Sequence, residues 1–402
     1  MRTEQSAVDQ ALLAPIEVIV VQGTPLCNLN CQYCYLSEAT RRSNRRIGLP
    51  QLSRYFSKIL SSHYVTDGFV VSWHSGEPLV LGTEYYESAI TEISRLAKQL
   101  QGPNFEILHD FQTNGTLIDE EWCSFFSKHR DKVTVGVSCD GPGDMHDVYR
   151  RDWRGAGSFD RTVKGMELLV SHSIPFSLIA VVSPQTLAYP DEFYNFFYSY
   201  RSHITEFRFN LLEEPSSSGE FCFERSSDQF YAFLKAILDK VESEDAQDDL
   251  LNIKNFSYFY QRLLAPPAER AKQTSEHMSR PFRAFNIEAN GDVSTFYAGV
   301  ALDETPDVYG DGNGLVIGNL NHQSLDELAS SEKLARLMKD FERSHAACQD
   351  TCPYFALCPG GFNLTKFKRY GSFEVADTPE CDVLVQTFSD ALMDHMRENA
   401  NA

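Results

Sequence analysis

Apolar runs and helical patterns alternate along residues 16 to 212. Short apolar runs predict strands at 16–24, 68–76, 105–114, 133–141, 176–183 and 206–212. Apolar positions at helical spacing predict helices at 49–62, 83–100, 119–129, 158–171 and 190–203. Repeated β/α units with right-handed crossovers build a parallel sheet. Six strands are too few to close an eight-stranded barrel, so we expect an α/β fold with an open, partial (β/α)6 barrel. Another part of the chain should cover its open side.

Polar residues occupy one face of several predicted strands. Asp110, Gln112 and Asn114 share a face of the third strand, because side chains alternate along a strand. Similar faces carry Ser72, His74 and Gly76 in the second strand, Thr134, Gly136, Ser138 and Asp140 in the fourth, and Arg208 and Asn210 in the sixth. We expect these faces to line the barrel towards the carboxyl ends of the strands, where barrel enzymes keep their active sites. For any one residue, the alternative is that it only satisfies backbone groups.

The pattern changes after residue 212. A loop rich in Ser at 213–219 precedes helical patterns at 226–243 and 248–264, and Ala265-Pro-Pro-Ala indicates a linker. A chain of 402 residues is long enough for two or three domains. We therefore predict four parts: an N-terminal tail at 1–15, the barrel at 16–212, a bridging helical region at 213–280 and a small C-terminal domain at 281–402.

Composition and charge exclude several functions. The net charge is −20, which argues against nucleic acid as the main partner, because phosphate binding needs a basic face. No apolar run approaches the ~20 residues that a membrane span needs, and the first residues lack the apolar core of a signal peptide. Ten cysteines in such a chain predict metal ligands and free thiols instead of disulfides. A reducing cytoplasm is the expected compartment.

Three of these cysteines stand close together after the first strand. Cys27, Cys31 and Cys34 are spaced so that one loop can direct three thiolates at one metal centre. Closed zinc sites and fully ligated iron–sulfur clusters take four protein ligands. A cubane held by three cysteines leaves one iron open to bind a small molecule. Tyr33 lies just before the third cysteine, where it would stack on a ring. A zinc knuckle or chance clustering is the alternative.

The strand ends that follow carry further short motifs. These are Ser75-Gly-Glu-Pro78, Gln112-Thr-Asn-Gly115 and Ser138-Cys-Asp-Gly-Pro142. Together with the cysteine loop and in this order, they resemble those of the radical S-adenosylmethionine (SAM) enzymes over nearly the whole chain. The resemblance implies that Cys27, Cys31 and Cys34 hold a [4Fe–4S] cluster whose fourth iron binds SAM. Ser75 replaces a glycine of the usual family motif, which leaves the carboxylate of Glu77 in place.

The same resemblance implies contacts with SAM. Glu77 would accept from the SAM ammonium, and Gly76 would let the backbone approach closely. Ser138 would contact the ribose, with Asn114 near the same groups. Arg150 would reach the methionine carboxylate, the alternative being a solvated surface arginine.

A second cysteine set lies near the C-terminus. Cys348, Cys352, Cys358 and Cys381, with Gly360-Gly361 between them, are able to close a metal site completely. The set resembles the SPASM extension of radical SAM enzymes, which holds auxiliary iron–sulfur clusters, and zinc is the alternative. A full SPASM domain has seven cysteines, whereas this chain has none between 223 and 347 and carries Phe362 after the glycine pair. We therefore expect one auxiliary cluster and two [4Fe–4S] clusters in all.

Shorter stretches resemble a narrower group. A predicted hairpin at 287–296 with an Asn-Gly turn, His146-Asp147, Gly157-Ser-Phe159 and the segment 345–381 are similar to the SPASM-type maturases that form cyclophanes in ribosomally made peptides. This implies that a SAM-derived radical removes a hydrogen from a precursor peptide, and that the carbon radical adds to an aromatic ring. The implied partners are that peptide and an external electron donor of the flavodoxin or ferredoxin type.

Rearomatising the ring needs a base, and Asp110, Glu213 and Glu214 are the candidates at the barrel mouth. Two other function classes stay open. The first is radical chemistry on another substrate, namely a sulfatase-type residue, a thioether or an epimerised residue. The second is a non-catalytic iron–sulfur protein. Cys123, Cys139 and Cys222 receive no role, because buried free thiols behave as small hydrophobes.

Overall fold

The computed structural model describes residues 15–212, 223, 226–243, 250–270, 282–295, 307–358, 360–361 and 363–401. Its centre is one sheet whose first six strands run parallel. These are β1 (Val18–Val21), β2 (Phe69–Trp73), β3 (Ile107–Thr113), β4 (Val133–Ser138), β5 (Phe176–Val182) and β6 (Ile204–Leu211). The strand order is β6-β5-β4-β3-β2-β1-β7-β8-β9, so the sheet does not close on itself. The predicted α/β fold with an unclosed partial barrel is confirmed.

Helices connect the strands and continue into the C-terminal part. Those of the barrel are α1 (Glu38–Arg41), α2 (Leu49–Leu60), α3 (Thr83–Leu100), α4 (Glu120–Lys128), α5 (Asp144–Asp147), α6 (Phe159–Ser171) and α7 (Pro190–Tyr198). Those that follow are α8 (Ser227–Ser243), α9 (Lys254–Leu264), α10 (Leu325–Ala329), α11 (Glu332–Thr351), α12 (Asn363–Tyr370), α13 (Pro379–Cys381) and α14 (Phe388–Asn401), with a π-helical turn at Asp382–Thr387. None of the described helices is long and apolar enough to cross a membrane.

Local sequence explains where these helices begin and end. Helix α4 begins after Asp119, whose carboxylate accepts from the backbone N–H of Trp122 at 3.0 Å. Helix α7 was predicted to run to residue 203, and that prediction is wrong. The helix ends at Tyr198, because Ile204 is needed as the first residue of β6, where it is buried and opposite Phe176.

A C-terminal hairpin extends the sheet beyond the barrel. Strand β7 (Ala284–Ile287) pairs in parallel with β1, and β8 (Asp292–Thr295) returns antiparallel to β7, followed by β9 (Gly318–Asn319). The predicted Asn-Gly turn is confirmed, with Gly291 at a φ of 92°. The hairpin covers the open β1 edge of the barrel, a pairing that the sequence did not indicate. The division at residue 281 stays a prediction, since the hairpin shares hydrogen bonds with the barrel.

Aromatic side chains fill the space between the sheet and helices α3 and α4. The ring centres of Trp73 and Tyr86 are 5.1 Å apart, and those of Tyr86 and Phe111 are 4.7 Å apart. The ring of Trp122 also packs near Tyr86. Trp73, Tyr86 and Phe111 are fully buried. Burying each such side chain contributes about 1.5–3 kcal/mol. This packing fixes β2 and β3, whose carboxyl ends carry several of the predicted site residues.

Candidate active site

The first cysteine loop lies between β1 and α1, at the carboxyl end of the sheet. Cys27, Cys31 and Cys34 are all partly exposed, and the N–H of Cys34 donates to the carbonyl of Cys31 at 3.2 Å. Burial raises the pKa of the Cys27 thiol to about 12 and that of Cys31 to about 11. Metal coordination deprotonates such thiols outright, so binding a cluster here releases protons.

Hydrogen bonds from distant parts of the chain fix this loop. Trp153 donates from Nε1 to the carbonyl of Cys27 at 2.9 Å, and the guanidinium of Arg42 lies 4.0 Å from the centre of the Trp153 ring. Arg41 is buried and donates to Asn30 Oδ1 at 2.7 Å. Sequence reasoning missed these three side chains, because no local spacing connects them to the cysteines.

Asn114 lies against the same loop. Its Nδ2 donates to Asn28 Oδ1 at 2.8 Å, and its Oδ1 accepts from Thr116 Oγ1 at 2.7 Å. Asn28 in turn donates to Thr116 Oγ1 at 2.8 Å. The Asn114 side chain therefore holds the cysteine loop against the end of β3, and its place near the groups that bind SAM stays a prediction.

Gly76 sits where two backbone segments nearly touch. Its φ is 119°, and a Cβ at this position would lie 2.3 Å from the carbonyl oxygen of Thr24. The close approach that requires glycine is therefore to the chain's own loop after β1. The next residue continues this contact, since the N–H of Glu77 donates to the carbonyl of Leu26 at 2.9 Å.

The Glu77 carboxylate is turned inward. It is 1% exposed and accepts from Leu79 N at 2.9 Å, Thr113 Oγ1 at 2.7 Å and Asn114 N at 2.8 Å. Burial raises the pKa of Glu77 to about 7, against the lowering effect of these donors. These three bonds tie the end of β2 to the end of β3. A carboxylate offers about four acceptor sites, so Oε2, which accepts only from Asn114 N, keeps capacity for a further donor, and the contact with the SAM ammonium stays a prediction.

Arg150, Tyr33 and Asp140 form a buried charged group beside Cys31. Arg150 Nε lies 3.1 Å from Asp140 Oδ1, and the Tyr33 hydroxyl donates to Asp140 Oδ2 at 2.6 Å. The guanidinium also lies 5.6 Å from the Tyr33 ring centre. Arg150 is 8% exposed, so the alternative of a solvated surface arginine is wrong. Burial raises the pKa of Cys31, and the positive charge of Arg150 opposes that rise.

The stretches around His146 and Ser158 form one structural unit that supports Arg150. His146 Nε2 and Ser158 Oγ lie 2.9 Å apart, and Ser158 Oγ donates to the Arg150 carbonyl at 2.8 Å. Asp147 Oδ1 accepts from the N–H groups of Ser158 and Phe159 at 2.7 and 2.9 Å. His146, Asp147 and Ser158, which belong to the motifs that resemble the peptide maturases, therefore fix the backbone that carries Arg150.

Ser138 and Asp110 belong to the polar faces of β4 and β3. Ser138 lies at the carboxyl end of β4, and its hydroxyl accepts from Gln112 Nε2 at 3.0 Å. Asp110 pairs with Thr134, the second residue of β4, and accepts from its hydroxyl at 2.8 Å. It is four residues from Asn114, which is about 13 Å along a strand.

Asp110 lines a cavity with Arg130, Pro175 and Glu206, residues that precede or begin strands β4 to β6. The expectation that Asp110 lies at the barrel mouth is therefore wrong, because alternation assigns a face of a strand but not an end. Glu213 and Glu214, the other candidate bases, lie outside the described residues.

The second cysteine set surrounds one cavity in the C-terminal part. Cys348 lies in the last turn of α11, Cys352 caps that helix, Cys358 follows a turn and Cys381 ends α13. All four line the same cavity together with Phe355 and Gly360, among other residues. Over the described residues, no three or more His, Cys, Asp or Glu side chains are gathered closely enough to hold a single metal ion.

Both sets suit the groups that the resemblance implies. The barrel loop presents three thiols beside a buried cation, which is the donor set for a cluster with one open iron. The C-terminal cavity presents four, which is the donor set for a closed one. Cys123 and Cys139 are fully buried elsewhere in the core, and Cys222 lies outside the described residues.

Comparison with known proteins identifies the class. The family model of the radical SAM superfamily matches residues 21–197, which include the cysteine loop and β2 to β5. An uncharacterized protein of Synechocystis sp. is 31% identical over 395 residues, covering 98% of this chain and 95% of that protein. The chain belongs to the radical SAM superfamily and is an enzyme. Membership implies a [4Fe–4S] cluster and SAM as its cofactors.

More specific relatives are known within that superfamily. The cysteine-type anaerobic sulfatase-maturating enzyme of Clostridium perfringens is 26% identical, covering 87% of this chain and 89% of that enzyme. A solved structure of anSMEcpe with bound AdoMet and Cp18Cys peptide has a TM-score of 0.75 at 22% identity, covering 96% and 99% of the two chains. Streptococcus suis SuiB bound to precursor peptide SuiA has a TM-score of 0.61 at 15% identity, covering 93% and 78%. These structures share the fold.

Proposed function

We propose that this enzyme modifies a ribosomally made precursor peptide by joining an aromatic side chain to a nearby β-carbon, which closes a cyclophane ring. The observation that carries the proposal is the cysteine inventory. Three thiols stand at the barrel mouth and four surround a single second cavity, with no cysteine between 223 and 347. A full SPASM domain would need further ligands there. The resemblance of segment 345–381 to cyclophane-forming maturases supports the same conclusion.

The chain's own residues divide the work. When bound at the open cluster, SAM supplies a 5′-deoxyadenosyl radical that removes a hydrogen from the substrate. Cys27, Cys31 and Cys34 would hold the cluster, and Arg150, which is fixed by Asp140, would bind the methionine carboxylate. Tyr33 and Ser138 would contact the adenosyl part. The unclosed barrel would admit the peptide beside this site.

The base and the partners follow from the same proposal. Because Asp110 lies in the middle of β3 and not at its carboxyl end, Glu213 and Glu214 are the remaining candidates to accept the ring proton. They follow directly after β6, whose carboxyl end lies at the mouth. A flavodoxin- or ferredoxin-type protein donates the electron that starts the reaction. Cys348, Cys352, Cys358 and Cys381 would hold the second cluster. The enzyme would work in a reducing cytoplasm.

Sulfatase-type maturation is the second candidate, and the similarity to anaerobic sulfatase-maturating enzymes favours it. In that reaction a Cys or Ser side chain is oxidised to an aldehyde. The two candidates therefore differ in product chemistry: one makes a carbon–carbon bond and the other makes a carbonyl group.

The test uses anaerobically reconstituted, reduced protein with SAM and two sets of synthetic peptides. One set carries an aromatic residue two positions before a residue with a β-CH₂ group, and the other offers Cys or Ser without an aromatic residue. We expect products from the first set that are two hydrogens lighter, do not react with an aminooxy reagent and do not fragment between the joined residues. Deuterium at the β-carbon should appear in 5′-deoxyadenosine.

Other products would contradict the proposal in distinct ways. Capture by the aminooxy reagent would identify sulfatase-type oxidation. Unchanged peptide mass, or deuterium arriving only from an α-carbon, would identify epimerase or thioether chemistry.

A further inference from the structure

A buried lysine points into the C-terminal cysteine set. Lys366 lies on α12 and is 2% exposed. Its Nζ donates to Ser344 Oγ at 2.9 Å and to Cys348 Sγ at 3.2 Å. Lysine is almost never fully buried unless it is paired, so this position needs a physical reason.

Carboxylates do not supply that reason. Among the ion pairs of the described residues, none involves Lys366. Glu380, a buried acid on α13, is paired with Arg369 at 2.7 Å. Ser344 is itself committed, since its hydroxyl donates to Asn363 Oδ1 at 2.8 Å. An ammonium left without a counter-charge in such a place costs several kcal/mol.

The thiols are the groups that offset this cost. Cys348 is in direct contact with the ammonium, and the Thr378 hydroxyl donates to Cys381 Sγ at 3.3 Å. Burial raises the pKa of Cys381, while the Thr378 hydrogen bond and the charge of Lys366 oppose the rise. Four thiolates around a cluster form an anionic centre, and Lys366 is the cation built against it.

The geometry points to Lys366 as a positioning residue that raises the reduction potential of the auxiliary cluster, which suits that cluster to accept an electron. This inference rests on the proposed cluster at Cys348, Cys352, Cys358 and Cys381. A fixed positive charge and an N–H···S hydrogen bond both favour the reduced, more negative state of a cluster. They leave the thiolate ligand set unchanged.

The test isolates the auxiliary cluster. The background variant Cys27→Ala/Cys31→Ala/Cys34→Ala keeps only the C-terminal set, and its midpoint potential is measured by a redox titration followed by electron paramagnetic resonance. In this background Lys366→Met should lower the reduction equilibrium constant at least tenfold, which is about 59 mV for a one-electron couple. Lys366→Gln, which keeps a donor for Ser344 but has no charge, should shift the potential in the same direction.

The control is Lys339→Met, which removes the same charge from an exposed position on α11 and should leave the potential unchanged. An unshifted potential in both neutral Lys366 variants with the cluster intact would overturn the inference. So would loss of the cluster from both, because Lys366 would then act in assembly. A background variant that binds no iron would instead refute the auxiliary cluster of the proposed function.

Discussion

The two cysteine sets bring their thiols together in different ways. Cys27, Cys31 and Cys34 lie on one short loop, and side chains from distant segments such as Trp153 and Asn114 hold that loop in place. Cys348 to Cys381 come from separate elements, the end of α11, a turn and α13, that meet around a cavity. The first arrangement leaves a coordination position open, and the second closes it.

The charged residues beside the two cysteine sets also differ. Beside the barrel set, Arg150 is paired with Asp140, so this cation does not depend on the thiolates for its counter-charge. The C-terminal set contacts Lys366, whose balance requires the thiolates themselves. We infer that the first site is shaped to accept a charged small molecule, whereas the second is shaped to hold a cluster permanently.

The largest expected effect is on SAM cleavage, which should depend on the first cysteine set and not on the second. Cys31→Ala should reduce SAM cleavage to background, because two thiolates do not hold a cubane with an open corner. The measurement is 5′-deoxyadenosine formed by anaerobically reconstituted protein. Cys381→Ala is the matched control in the other set, and it should retain SAM cleavage. A wild-type rate in Cys31→Ala would show that the open site lies elsewhere.

The next effect tests the charge balance at the barrel mouth. Asp140→Asn leaves Arg150 buried without its partner and should lower the free energy of unfolding by about 3–5 kcal/mol. Urea unfolding of the metal-free protein measures this. The control is Glu38→Gln, which breaks an exposed pair with Arg42 and should cost about 0–1 kcal/mol. Equal costs for the two variants would mean that the Arg150–Asp140 pair is not buried in solution.

The third effect concerns Glu77 and pH. Its pKa is raised by burial from 4.5 to about 7, so the folded state holds this proton more tightly than the unfolded state does. The stabilisation is therefore fully present below about pH 4.5 and is lost as the pH rises through about 7. The free energy of unfolding of the wild type should fall by roughly 1–3 kcal/mol over this pH range because of Glu77. Glu77→Gln should not show this fall.

The measurement for Glu77 is the free energy of unfolding of metal-free protein against pH, as the difference between wild type and variant. A difference that stays constant from pH 4.5 to 8 would show that the carboxylate is ionised throughout and accessible to solvent or ligand.

The contrast between the two sets also explains what the sequence could predict. The barrel loop was recognisable because its three thiols are neighbours in the sequence, and helix α3 matched its prediction because its apolar spacing and its ends are local features. The contacts of Glu77 with Thr113 and Asn114 could not be predicted from the sequence, because these donors come from the end of the next strand. Asp110 was expected at the carboxyl end of β3, but it lies in the middle of that strand.

Other features depend on contacts that no local pattern records. The pairing of β7 with β1 joins segments more than 250 residues apart. Asp140 and Lys366 were visible within recognised motifs, yet their burial against Arg150 and Cys348 exists only in the folded chain. Burial of a charged residue near a cysteine is therefore the property that sequence patterns do not reveal.

The proposed function needs two separate iron–sulfur sites, and the metal content of the protein reports on both. Iron, zinc and acid-labile sulfide are measured in reconstituted wild type, in a variant lacking Cys27, Cys31 and Cys34, and in a variant lacking Cys348, Cys352, Cys358 and Cys381. We expect about eight irons per chain in wild type and about four in each variant, by the four-iron stoichiometry of the cluster. About twelve irons in wild type, or zinc in place of iron when only the C-terminal set remains, would contradict the account.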